Sequence, residues 1–424
     1  MPIVLVLTVP PKDRELEADR EAEMKSLLDT AGREAVAVAR QHLQKPVSAT
    51  CIGSGKIIEV AELVKAHGAE QVVFDTQLTP SQQRNLERDI GIAVVDYNEL
   101  ILDIFATNAR THQAMLAVQL AQLEYGRSRL KRLWTHLDRL GLGGSGGTGG
   151  GGAGAVRGPG EKQIEIDKRL VRKRIIELQE KLDEIERRKE RTVAGRGDAF
   201  NIALVGYTNS GKSTLMNALT SAGVLAEDRL FATLDTRTAQ LWLDGVTNAV
   251  VSDTVGFIRN LPPTLIASFH ATLAEVREAD LLLHVVDAAS PVMDQQIVAV
   301  EEVLGTIGAS AVPMVVVFNK VDRPYSKSML QAYQRRYAGS VAISALTGEG
   351  LDALRETIRA HAVKRLTRLT VRFSAANGAL SAFIRRRARI TDEQYDGEEA
   401  VLTIDADARL VEELRAHPDL AIVA

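Results

Sequence analysis

Gly206, Tyr207, Thr208, Asn209, Ser210, Gly211, Lys212 and Ser213 place two glycines, a lysine and a hydroxyl at the spacing G-x-x-x-x-G-K-[ST]. A loop of this kind, entered from the apolar run 200–205 and left by a helix, turns backbone N–H groups and a helix N-terminus onto phosphate. Lys212 would reach the β- and γ-phosphates and Ser213 a magnesium ion, with Thr214 next along the helix. Farther on, Asn319-Lys320-Val321-Asp322 follows the run Val315-Val316-Val317-Phe318. Asp322 can accept hydrogen bonds from the N1–H and the exocyclic amine of guanine, whereas adenine offers no such donor pair. By itself this tetrapeptide also reads as a polar turn after a buried strand. The two motifs together point to GTP and GDP.

Between them stand residues suited to sensing the γ-phosphate. Asp253-Thr254-Val255-Gly256 follows the apolar Ala249-Val250-Val251, which suits a magnesium-side carboxylate at Asp253 and a γ-phosphate contact at Gly256. The segment 230–235, with Phe231, Ala232 and Thr233, lies where a mobile switch would bring a Thr hydroxyl onto magnesium when γ-phosphate is present. Thr233 is the first candidate and Thr236 the second. Ser344-Ala345-Leu346, after the strand-like 340–343, would offer a backbone N–H to guanine O6. Catalysis thus falls to Lys212, Thr233 and Gly256, with magnesium held by Ser213, Thr233 and Asp253. Phe257 occupies the position after Gly256 where a water-orienting Gln often stands, and an apolar ring cannot orient water. Hydrolysis is therefore expected to be slow until a potassium ion, another side chain or a partner surface supplies what is missing.

These residues need elements to hold them, and 424 residues are too many for one ordinary core. The expected class is α/β: a P-loop GTPase core at 198–366 whose mixed sheet is flanked by helices, an N-terminal α/β domain at 1–109, a helical hairpin at 110–197 and a small C-terminal α+β domain at 367–424. In the first domain, apolar strands at 2–9, 34–39, 71–74 and 93–96 alternate with helices at 15–30, 56–67 and 81–90, which predicts a parallel sheet. Gly53-Ser54-Gly55-Lys56 is half a phosphate loop and leaves ATP open there, beside the simpler reading of Ser54 as a helix cap. In the last domain, strands at 369–373, 400–404 and 421–423 alternate with helices at 377–387 and 406–416. Arg385-Arg386-Arg387 reads either as a phosphate-contacting patch or as a solvated helix end.

Composition places the chain in a reducing compartment. Cys51 is the one cysteine, so no intrachain disulfide exists. The opening 2–7 is apolar but short and lacks a basic leader, and no run approaches the length of a bilayer span. A cytoplasmic monomer without stable membrane insertion is expected, with peripheral membrane association left open. The net charge of −3 is unevenly spread: residues 110–198 hold 19 Lys and Arg against 12 Asp and Glu, a local +7 that leaves −10 for the remainder. Leu116, Leu120, Leu123, Leu130, Leu133, Leu137 and Leu140, then Ile175, Leu178, Leu182 and Ile185, recur at helical spacing beneath this charge. Two matching stripes predict an antiparallel hairpin, or else a solvated helical linker. The Gly-rich loop 141–160 joins them. It is far longer than packed helices require, which suits either flexibility or a tip made to enter a confined, phosphate-lined space.

Taken along its length, the chain resembles the HflX family of ribosome-associated GTPases. The likeness rests on GYTNSGKSTLMNALT (206–220), RLFATLDT (229–236), DTVGFIRNLP (253–262), NKVD (319–322) and SALTGEGL (344–351). Outside the core it rests on IGSGK (52–56), TPSQQRNLE (79–87), LDIFATNARTHQAMLAVQLAQLEY (102–125) and RGPGEKQIEIDKR (157–169). The loop before Arg157 is longer and richer in Gly than the usual family form. The resemblance implies binding to rRNA of the large ribosomal subunit, insertion of the hairpin loop toward the peptidyl-transferase region, and splitting of stalled ribosomes in the GTP-bound state. It makes Arg157, Lys168, Arg169, Arg172 and Lys173 the candidate ribosome contacts, and Asn209 a ligand for potassium. A GTPase subunit of an RNA-modification or ribosome-assembly machine is the competing expectation.

Overall fold

A computed structural model describes residues 1–127, 129, 159–194, 199–220, 230–231, 237–243, 246–259, 262, 265, 270–325, 327–406 and 408–423. The chain divides into two units. The first comprises Met1–Arg187, Arg229–Leu234 and Asn260–Ala271; the second comprises Arg188–Asp228, Asp235–Arg259 and Thr272–Ala424. No helix among the described residues is long and apolar enough to cross a membrane.

In the first unit, β1 (Pro2–Val9), β2 (Glu34–His42), β3 (Gln71–Phe74) and β4 (Ala93–Val95) form a parallel sheet in the order β2-β1-β3-β4. Strand β1 is buried along most of its length, as a central parallel strand covered on both faces should be, and this is why it reads as an apolar run and not as an alternation. Helices α1 (Glu17–Thr30), α2 (Ser54–His67), α3 (Pro80–Ile90) and α4 (Tyr97–Asn108) cover it. Thr79 and Gln82 close a reciprocal capping box on α3. Ser54, expected as a cap, is instead the first helical residue. Gly53 holds the cap position in extended backbone, its N–H donated to Gln41 Oε1 at 3.1 Å. In the same turn Lys56 pairs with Glu59 at 2.6 Å.

Two further helices carry the basic region, α5 (His112–Arg127) and α6 (Pro159–Ala194). Helix α6 starts two residues inside the expected loop, with Pro159 in the first turn, where its missing N–H costs nothing. Of the expected stripe on α6, Ile175, Leu178 and Leu182 are buried and Ile185 is half-buried, and Val171 adds a buried residue before them, while Lys168, Arg169, Arg172 and Lys173 are exposed. Leu130, Leu133, Leu137, Leu140, Arg157 and the Gly-rich segment up to residue 158 lie outside the described residues. At the base of α5, Arg129 donates to Gln83 Oε1, to the Leu78 carbonyl and to the buried Asp96 carboxylate, and its guanidinium lies 4.0 Å from the Tyr125 ring centroid. The end of α5 is thus pinned to the segment before α3 and to the cap of α4 by a buried ion pair with its hydrogen bonds satisfied, the geometry that offsets desolvation.

The second unit holds a six-stranded sheet. Its strands are β5 (Phe200–Gly206), β6 (Arg237–Leu243), β7 (Val246–Asp253), β8 (Leu281–Asp287), β9 (Met314–Asn319) and β10 (Val341–Ala342), in the order β10-β9-β8-β5-β7-β6. Only β6 runs antiparallel. Helices α7 (Lys212–Thr220), α8 (His270–Arg277), α9 (Met293–Thr306), α10 (Lys327–Arg336) and α11 (Leu351–Lys364) accompany the strands in sequence. The result is the mixed α/β sheet expected of a P-loop core.

Beyond it, β11 (Thr367–Ser374), α12 (Gly378–Arg387), β12 (Arg389–Asp396), β13 (Glu399–Ala406), α13 (Ala408–Ala416) and β14 (Leu420–Val423) form an antiparallel sheet, β12-β13-β11-β14. Both helices pack on one face, with Ile384, Leu410 and Leu414 against Val371, Phe373, Leu402 and Ile404. Of the three consecutive arginines, Arg385 pairs with Glu393 and Arg387 with Glu413, each at 2.5 Å, so the solvated helix end describes them better than a free cationic patch.

Candidate functional site

Strand β5 ends at the centre of the sheet, and the chain turns at Gly206 into the loop that opens α7. A Cβ at Gly206 would lie 2.3 Å from the Val285 carbonyl oxygen, and one at Gly211, where φ is 94°, would lie 2.3 Å from Asn319 Nδ2. The two glycines of the motif are therefore required by sterics. Between them Asn209 takes φ 60° and remains exposed at the loop's rim, while Tyr207, Thr208 and Ser210 are buried.

The lysine folds back over the turn: Lys212 Nζ donates to the carbonyls of Gly206 at 3.1 Å and Tyr207 at 3.0 Å. Burial pushes its pKa down to about 8; Asp253 opposes that shift and Lys320 adds to it. Its ammonium is thus short of a counter-charge, which a phosphate would supply. Ser213 Oγ donates to Asp253 Oδ2 at 2.6 Å, which joins the start of α7 to the end of β7. Thr214 is half-buried one position along the helix. A hydroxyl and a carboxylate are hard oxygen donors, and an ion that keeps most of its shell as water and phosphate needs few such protein ligands.

Asn319 acts as a brace. Its Nδ2 donates to the Ser210 carbonyl and its Oδ1 accepts from the Ala345 N–H, both at 2.9 Å, so one buried amide ties the phosphate loop to the 344–346 turn. Lys320, at φ 66°, donates to the Asn209 carbonyl at 2.7 Å and pairs with Asp287 at the same distance. Ser344 Oγ donates to Asp322 Oδ1 at 2.5 Å, fixing the Asp322 carboxylate, while the Leu346 side chain is exposed. Five expected residues, Asn319, Lys320, Asp322, Ser344 and Ala345, are therefore linked in one network with the phosphate loop.

Gly256 lies against the loop so closely that a Cβ would be 2.9 Å from Thr208 Cα and 3.1 Å from Lys212 Nζ. The next residue zips on: Thr208 N–H donates to the Phe257 carbonyl at 2.7 Å and Phe257 N–H to the Gly206 carbonyl at 3.0 Å. The Phe257 ring is buried, as its apolar character dictates, and so withdrawn from any attacking water. Tyr207 extends the zip, its hydroxyl accepting from the Arg259 N–H at 3.0 Å.

Phe231 is described and buried; Ala232, Thr233 and Thr236 lie outside the described residues. Two participants, Asp287 and His284, carried no motif in the sequence. Asp287, paired with Lys320, ends the apolar strand β8, where an acid at the carboxyl edge of a parallel strand was the available signal. His284 of the same strand is buried with Nδ1 lacking a hydrogen-bond partner, and burial, with Lys212 adding its charge, pushes its pKa down to about 3.

A strand, a phosphate loop with its lysine, and a braced NKVD turn on a mixed parallel sheet define a P-loop GTPase, an enzyme that hydrolyses GTP. Residues 18–106 match the family model described as GTP-binding GTPase N-terminal, 108–196 that described as GTP-binding GTPase Middle Region, and 201–320 that described as 50S ribosome-binding GTPase. The chain is 42% identical over 383 residues to GTPase HflX of Magnetococcus marinus, covering 89% of this chain and 85% of that one. It is also 42% identical over 380 residues to GTPase HflX of Escherichia coli, covering 87% and 84%. Among solved structures, the complex of SsGBP with GDP aligns at 25% identity and a TM-score of 0.46, over 86% of this chain and 99% of that one. The chain belongs to the GTPase HflX family.

Proposed function

We propose that this GTPase binds the large ribosomal subunit through its basic hairpin and, when GTP-bound, dissociates stalled or stressed ribosomes, with hydrolysis stimulated by the ribosome. The observation that supports docking is the exposed row Lys168, Arg169, Arg172 and Lys173 on α6, set opposite a buried apolar stripe and therefore facing solvent with its charge. Arg157 would extend that contact to rRNA at the loop tip. An RNA backbone binds such a row by counterion release, independent of sequence.

In this reading the nucleotide lies along Gly206 to Thr214, with Phe231, Ala232 and Thr233 as the switch, and Asp253 and Gly256 at the γ-phosphate. Asn319, Lys320, Asp322, Ser344, Ala345 and Leu346 surround the base. Magnesium would be held by Ser213, Asp253 and Thr233 and would neutralise phosphate charge. Lys212 orients the β/γ-phosphates and stabilises charge as it moves to the leaving oxygen. Gly256 presents a backbone N–H where a side chain would clash. Phe257 contributes no water-orienting group, so a potassium ion at Asn209 or the ribosome itself completes the site. ATP at the N-terminal domain would be a separate binding event at the Gly53–Lys56 turn.

Pelleting of the protein with purified large subunits in GTP, GDP and a non-hydrolysable analogue tests the reading; binding that ignores the nucleotide and the subunits would instead favour a role in an RNA-modification or assembly machine. Lys212→Ala is expected to weaken GTP binding and abolish ribosome-stimulated turnover. Undiminished turnover would remove the phosphate loop from the mechanism.

A further inference from the structure

Strand β5 pairs with β7 as far as Leu204 opposite Asp253, and the pairing does not stop where the two strands end. Thr254 Oγ donates to the Leu204 carbonyl at 2.6 Å, Phe257 N–H to the Gly206 carbonyl at 3.0 Å and Thr208 N–H to the Phe257 carbonyl at 2.7 Å, so that Tyr207 and Phe257 form a parallel bridge. Two residues farther on, the Tyr207 hydroxyl accepts from the Arg259 N–H at 3.0 Å. The Tyr207 ring is buried, and a buried phenol needs a polar partner, which here is backbone. All of these groups belong to the second unit, in 188–228 and 235–259. The segment DTVGFIR (253–259) is therefore fastened along the phosphate loop.

Gly256 sits inside this ladder. A Cβ there would be 2.9 Å from Thr208 Cα and 3.1 Å from Lys212 Nζ, so the space between Gly256, the loop and the ammonium is tighter than a methyl group requires. A phosphoryl oxygen shared by the Gly256 N–H and Lys212 needs about 2.8 Å to each donor, with the rest of the group beside it. No such group fits while the ladder is closed. We infer that segment 254–259, fastened on the loop, is a closed form that shuts out the γ-phosphate, and that Tyr207 is the positioning residue whose hydroxyl holds it shut and so sets the preference for GDP over GTP. The inference rests on the reading of Gly256 as the γ-phosphate contact. GDP ends at the β-phosphate and is indifferent to the ladder, whereas GTP must first part Gly256 from Thr208 and Lys212. A ligand that binds only the open form has its affinity reduced by the fraction of molecules that are open, while one that binds both forms equally shifts nothing. The Tyr207 hydroxyl holds the end of the segment beyond Gly256, so its loss lets Gly256 lift while the Thr254 end keeps its place.

The test uses the full chain and Tyr207→Phe, which keeps the buried ring and removes the acceptor. Affinities for GDP and for a non-hydrolysable GTP analogue are measured by titration, and hydrogen exchange of the 254–259 amides is followed in each nucleotide. In wild type that exchange should differ between the two nucleotides. Tyr207→Phe should speed the exchange in GDP and leave GDP affinity within about twofold, while the ratio of analogue to GDP affinity rises by about threefold to tenfold, the worth of one such hydrogen bond. A ratio that is unchanged or falls overturns the proposal, whatever the exchange shows. The reading of Gly256 is checked separately in wild type: if exchange at 254–259 is the same in GDP and analogue, the segment does not sense the γ-phosphate, and that reading falls together with the proposal. If the exchange differs and Tyr207→Phe leaves the ratio at its wild-type value, Gly256 keeps its role and only Tyr207 loses its own.

Discussion

Asp322 and His284 show how single groups are set by their neighbours. The Asp322 carboxylate is held by the Ser344 hydroxyl at 2.5 Å, which leaves its remaining lone pairs aimed by geometry and not by chance. Asp322→Asn is expected to lower GTP affinity on the order of a hundredfold and raise that for XTP, because an amide donates to the xanthine C2 carbonyl where a carboxylate only accepts. Equal affinities in parent and variant, measured by nucleotide titration, would reduce NKVD to a turn. His284 is neutral in the fold because burial, and then the Lys212 charge, hold its pKa near 3 against an ordinary 6.5. Between those values the unfolded chain binds a proton that the native protein does not, so stability falls as pH drops from about 6.5 toward 3, by up to about 1.4 kcal/mol per pH unit. His284→Leu should flatten that slope by one proton in urea titrations at pH 5 and pH 7. An unchanged slope would mean the imidazole titrates normally.

At the scale of elements, what was legible depended on which contacts were local. The phosphate loop, its strand and the NKVD turn could be read because each is a short run whose spacing is the chemistry. Helix α4 could not: Tyr97, Asn98, Leu100, Ile101, Leu102, Ile104 and Phe105 are all buried, so no polar face marks a 3.6-residue period. Strand β12 was missed for the opposite reason, since six of its eight residues are exposed and RITDEQYD offers no alternation. Ser54 misled because the cap is chosen by backbone geometry at Gly53, which the distant Gln41 fixes. The brace at Asn319 is likewise non-local, joining Ser210 to Ala345 across elements. Asn319→Ala would leave the buried Ala345 N–H and the Ser210 carbonyl without that partner, at about 1–3 kcal/mol for each orphaned group. Chemical denaturation should show that loss, and GDP affinity should fall about tenfold or more; a loss of stability without loss of affinity would make the brace purely structural.

For the whole molecule the deciding quantity is the distribution of charge, because a chain with net −3 has no general reason to approach RNA. One basic excess lies at 110–198, where the buried stripe of Val171, Ile175, Leu178 and Leu182 fixes which side of α6 faces outward. Lys168, Arg169, Arg172 and Lys173 are exposed there, and among the described residues Lys173 has a carboxylate near, Glu177 at 3.9 Å on a solvated surface where such a pair contributes little. Phosphate contacts by this row should make subunit binding fall steeply with salt, each lost contact lowering the slope of log affinity against log salt by about one or slightly less. Reversing all four residues to Glu should therefore abolish co-sedimentation with large subunits at moderate salt, while GTP affinity stays within about twofold, since the phosphate loop belongs to the other unit. Shortening 143–154 should leave co-sedimentation largely intact but impair ribosome splitting, because those residues add reach and no charge. Grip and action would thus separate in two variants of one hairpin. A charge-reversed protein that still pellets with large subunits, with its salt slope unchanged, would show that the hairpin is only a linker and that the ribosome is held elsewhere.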